Sequence, residues 1–174
     1  MRCAVSGFFF ILALVSAAHA VEPPEAAPRP PAALSTPDFL RQAAATHKFA
    51  ITSSQLALRK SQSDVVLGFA HQMVIDYSAA SMKLRQAVAD AKLPSPRDAL
   101  DAGHKELLDG LSHTPPGKKL SRAYVETLDK ALREDLAVFQ AYAQGGDNER
   151  LRLFAEDMTA AMRSHLEQLG KLRK

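Results

Sequence analysis

The sequence predicts an all-α protein: a ferritin-like four-helix bundle with one long crossover that contains a short helix of its own. Three observations predict it. Four long stretches repeat apolar residues at helical spacing, the alternation typical of strands is almost absent, and the links between the stretches run short, long, short. Thr36-Pro37-Asp38 combines a cap, a first-turn proline and an N-terminal acid, and opens a helix that reaches about Lys60. Ser61-Gln62-Ser63-Asp64 has capping-box spacing and opens a second helix to about Lys92. A third runs from about Lys118 to Gln144, where Gly145-Gly146 stops it, and Asp147 caps a fourth that continues to the C-terminus.

The link from Leu93 to Gly117 decides the topology. It holds a short helix from Ser95-Pro96-Arg97-Asp98 to about Leu111 and ends in Pro115-Pro116-Gly117. A helix of roughly 28 residues is about 42 Å long. A link of this size can travel that length and start the third helix at the same end as the second. The other two links take only a few residues and predict antiparallel hairpins.

Ahead of the bundle, Arg2 precedes the apolar run Phe8–Val15, and Ala18-His19-Ala20 supplies small residues before a cleavage point between Ala20 and Val21. That is the pattern of a secretory signal peptide over residues 1–20, and its apolar run is too short to span a bilayer. Residues 21–35 read as a Pro/Ala-rich tether, extended where polyproline-like. The bundle proper is expected over 36–174. The mature protein is therefore expected in the periplasm or at the outer envelope, with no transmembrane anchor.

Composition excludes several functions. Cys3 is the one cysteine and lies in the expected signal, so thiolate catalysis, cysteine-ligated zinc and iron–sulfur clusters are excluded from the mature chain. Taking Arg2 from 22 basic residues leaves 21 against 19 acidic ones, a net charge of +2. Both signs alternate along every helix, so no nucleic-acid stripe forms. Lys171, Arg173 and Lys174 read as decoration of a helix C-terminus.

The apolar seams carry four interruptions: His47 in the first helix, Tyr77 in the second, Asp135 in the third and His165 in the fourth. All fall in the middle half of the bundle. A carboxylate-bridged di-iron centre needs about six ligands, including Glu-x-x-His pairs. Here Met162 stands three before His165 and Val74 three before Tyr77, so the pattern is missing. A mononuclear site of His165, Asp135 and His47, taking iron or another divalent metal, is the metal alternative. The structural alternative is hydrogen bonding that fixes helix register. His71 lies off its seam and is expected at the surface. Asp101-x-x-His104 reads as a surface ion pair, and Met73, Met158 and Met162 as core packing with copper as the functional alternative. Ser53 and Ser54 have no adjacent histidine base, so no hydrolase triad is visible.

Asp38-Phe39, Phe69-Ala70-His71-Gln72-Met73-Val74-Ile75-Asp76, Ala137-Val138-Phe139, Leu153-Phe154-Ala155 and His165-Leu166 together resemble the exported ferritin-like proteins of the domain-of-unknown-function 4142 family. Many members are labelled outer membrane proteins. The resemblance spans roughly residues 36–172 and implies the fold and an exported location. Members often carry a histidine after the Met-x-x-Asp stretch and another in the third helix. Tyr77 and Leu132 stand in those places here, so only His165 matches. With no catalytic constellation, the expected function is non-enzymatic: an envelope interaction or stress-associated protein that binds an envelope partner or itself. A degenerate metal-binding or oxidase-like protein is the alternative, and no resident cofactor is otherwise expected.

Overall fold

The computed structural model describes residues 34–173. The expected signal peptide, its cleavage point at Ala20–Val21 and all but the last two residues of the tether lie outside them. Five helices are found: α1 Thr36–Lys60, α2 Asp64–Asp90, α3 Ala102–Ser112, α4 Lys118–Gly145 and α5 Glu149–Leu172. The four long helices form a bundle with α1, α2, α5 and α4 in order around it, while α3 lies across α1 and α4.

Contacts at the helix ends fix the directions. The Gly117 N–H donates to the Lys60 carbonyl at 2.8 Å, so α4 starts where α1 ends. At the opposite end the Thr36 and Tyr142 hydroxyls are hydrogen-bonded, and Arg150 lies 3.7 Å from Asp90. Hence α2 and α4 run parallel, and the crossover carries the chain back along the bundle. That is the one-crossover connectivity of ferritin-like bundles. Gly117 makes the return possible with a φ of +91°, and its open side lies against the Gln62 side chain.

Four helix starts differ from the sequence expectation. The Ser61–Asp64 capping box does not form: Ser61 closes α1, and α2 begins at Asp64 after Ser63 with no side-chain cap. The other three choose a different capping residue. Ser35, not Thr36, caps α1 by accepting from the Asp38 N–H; Thr36 is buried and bonds Tyr142 and Asp147 instead. Asp147 is thereby drawn away, and Asn148 caps α5 through the Leu151 N–H. In the crossover, Asp101 caps α3 by accepting from the His104 N–H, so that helix begins later than Asp98. Ser61 bonds the Ser121 hydroxyl at 2.7 Å and ties the α1–α2 turn to α4.

The core is one continuous cluster. Phe39, Phe139 and Tyr142 stack at one end, while Leu120, Tyr124 and Leu128 fill the other. Tyr124 reaches Ser54 at 2.7 Å, a buried hydroxyl pair that sets the register of α1 against α4. Among the described residues no helix is long and apolar enough to cross a membrane.

Candidate functional site

All four seam residues are buried, and they divide into two polar systems. The first lies between α1, α2 and α5. His47, Tyr77 and His165 are 2%, 0% and 5% exposed, and the Tyr77 ring stands between the imidazoles, 5.7 Å from His47 and 5.6 Å from His165. His165 Nε2 meets Asp76 Oδ2 at 3.0 Å. A carboxylate at Nε2 favours the tautomer that keeps the proton there, leaving Nδ1 with a bare lone pair. That Nδ1 is buried without a partner, and so are both nitrogens of His47 and the Tyr77 hydroxyl.

Such atoms are expensive. Each unpaired buried polar group costs about 1–3 kcal/mol, and most buried polar groups in folded proteins avoid it. Four of them fall on three neighbouring side chains at the bundle centre. Burial pushes His47 down to about 4, so its ring is neutral at physiological pH. Burial, with the nearby charges of Asp135 and Asp76, raises Tyr77 well above the ordinary phenol range and keeps its proton in place. A groove of about 460 Å³ between α2 and α5 is lined by Asp76, Lys83, Phe154, Met158 and His165 among others.

The second system clamps the crossover. His104 is buried, which corrects the expectation of a surface ion pair with Asp101. Its Nδ1 lies 2.8 Å from Asp101 and its Nε2 3.1 Å from Asp135, while Gln42 donates to the other Asp135 oxygen at 3.0 Å. The Phe49 ring packs against it at 4.8 Å. Burial works against the imidazolium, but the two flanking carboxylates outweigh it and raise His104 above its ordinary value. The sequence signal for its burial was present: His104 heads the stripe that continues through Leu107, Leu108 and Leu111, all packed on the core. His71 and His113 are exposed, as is His71 by expectation.

The residues suggested for a metal therefore do not form one group. Asp135 faces His104 and Gln42, His165 turns to Asp76, and His47 lies on the far side of Tyr77. Among the described residues no three His, Cys, Asp or Glu side chains come together as a metal-binding set. The di-iron centre that a ferritin-like fold suggests does not fit these side chains. What remains is a centre of two imidazoles and a phenol, with Met158 lining the same groove as His165.

The pattern known as Domain of unknown function (DUF4142) matches residues 21–172, a span that takes in the whole bundle. The chain belongs to the DUF4142 family. Among solved structures, "CopM in the Cu(II)-bound form" resembles this DUF4142 chain with a TM-score of 0.65 at 14% sequence identity, over 79% of this chain and 94% of that one. At that identity the likeness concerns the fold. No curated protein matches the chain.

Proposed function

We propose that this DUF4142 protein is an exported, non-enzymatic envelope protein whose bundle centre takes up a metal ion at His165, with His47 and Tyr77 completing the polar lining. One observation carries the proposal: four buried polar atoms without partners on three adjoining side chains, one of them an imidazole whose far nitrogen is fixed by a carboxylate. Metal-bound histidines characteristically donate their other nitrogen to such a partner, which orients the ring and frees the ligand atom. Asp76 holds His165 in that manner. The fold neighbour described as Cu(II)-bound supports testing metals first. Export is supported by the signal-like pattern of residues 1–20, with cleavage proposed between Ala20 and Val21. Asp135 is left out of the site, because both its oxygens are already engaged.

Elemental analysis of protein purified without chelators tests this, with His165→Ala prepared alongside. A stoichiometric metal is expected in the parent protein and none in the variant, both showing the same helical circular dichroism. A parent that remains metal-free after incubation with first-row metals and silver would remove the proposal.

A further inference from the structure

Four large apolar side chains stand exposed among the described residues, and three of them, Val65, Ile75 and Met82, belong to α2. That helix packs against α1 and α5, and α3 shelters α1 but not α2. Between Asp64 and Lys83 its one acidic or basic residue apart from His71 is Asp76, which turns aside to His165. The outward face therefore runs through Gly68, His71, Ile75, Ala79 and Met82, a band about 21 Å long with no carboxylate, ammonium or guanidinium on it. The solvent sides of α4 and α5 differ: both signs of charge stand on them, as at Lys130 and Glu134 or Glu156 and Arg163. A helix apolar on both sides normally has a neighbour on both, and a contiguous exposed apolar patch marks an interaction surface.

The ends of the band say what covers it. Asp64 stands at its start, Lys83 and Arg85 at its far end, and none of the three has an ion-pair partner among the described residues. A second copy of α2 can lie antiparallel on the first, with the two Ile75 side chains meeting at the twofold axis. Asp64 of one copy then falls opposite Gln86 of the other and one residue from its Arg85. A parallel copy would set acid against acid and cation against cation, which disfavours it. The antiparallel register also sets Met82 opposite Gly68, where an added side chain would meet nothing within 4 Å. A long side chain thus faces a vacant position. A twofold interface must be complementary to itself, and here charge and shape select the same register.

We propose that the outward face of α2 is a homodimer interface, in which two copies pack antiparallel about a twofold axis at Ile75. A single helix pair lies at the small end of specific interfaces, so the dimer is reversible, with a dissociation constant of roughly micromolar order. The face points away from Tyr77 and His165, so dimerisation is independent of the metal reading.

Sedimentation velocity of the purified protein over about 1–500 μM tests this, and monomer is expected to give way to dimer within that range. Ile75→Glu places two carboxylates together at the axis and is expected to weaken the dimer by about a hundredfold or more. Ile75 is 49% exposed, so the helical circular dichroism and melting temperature of that variant should match the parent. Arg85→Asp acts twice by symmetry and is expected to weaken the dimer roughly tenfold, and adding Asp64→Arg is expected to restore it. A protein monomeric throughout would overturn the proposal. So would a dimer that Ile75→Glu leaves intact, one indifferent to Arg85→Asp, or one that the double exchange fails to restore.

Discussion

Asp135→Ala is expected to destabilise the protein by roughly 3–5 kcal/mol, the usual cost of removing one partner from a buried ionic pair. The carboxylate is 2% exposed and joins three elements: its own helix α4, Gln42 of α1 and His104 of the crossover. Its loss leaves His104 buried with one partner instead of two. The signature is a fall in stability by urea unfolding, together with earlier proteolysis within residues 93–117. The parent protein should also show a pH dependence from the same clamp. His104 is raised in the folded state, so its contribution is fully present below the unfolded value of about 6.5 and is lost as pH rises through the folded one. Asp101 is lowered: burial opposes this, but the hydrogen bonds from His104 prevail. Its contribution is present above the unfolded value and lost as pH falls through the folded one. His104→Gln should flatten the alkaline slope. An Asp135→Ala protein as stable as the parent would show that the clamp contributes nothing.

His47→Leu is expected to do the opposite and stabilise the fold. The imidazole is buried with neither nitrogen bonded, so an apolar side chain of similar volume removes two orphaned atoms. The pH profile separates this from a generic packing gain. The folded ring sits at about 4 and the unfolded one at about 6.5. Below about 6.5 the unfolded chain gains a proton that the folded chain refuses, so stability falls with pH down to about 4, by roughly 3 kcal/mol in total. His47→Leu should abolish that acid loss, leaving the carboxylate contribution at lower pH. An acid limb unchanged in the variant would mean that His47 is not held neutral by burial. Together the two histidines give the parent protein opposing slopes above and below the ordinary imidazole value of about 6.5.

The helices were legible because their apolar positions repeat at the helical period, and the length of the 93–117 link made the crossover legible. Caps were less so. Thr36 beside Ser35, and Asp147 beside Asn148, offer adjacent capping side chains, and the choice between them is made by a distant partner, Tyr142. Burial of the seam residues could be read from spacing; their pairing could not. Which acid meets which histidine depends on how far α5 slides against α2 and on where α3 docks, and neither quantity is local. Asp76 illustrates this. It sits one residue off the Tyr77 seam, where a flanking acid faces the neighbouring helix, yet only the α2–α5 register aligns it with His165 and not with another residue of α5. The second partner of His104 was hidden for a similar reason: Asp101 stands three residues before it in sequence, whereas Asp135 reaches it only once α3 has docked.

His165 should present a bare, buried Nδ1 as a ligand atom. Nitrogen-resolved imidazole NMR of the labelled protein tests it most directly. The expected result is a proton on Nε2, a bare Nδ1, and a large shift of the Nδ1 resonance when silver(I) is added. A proton found on Nδ1, or an Nδ1 resonance indifferent to the added ion, would contradict it.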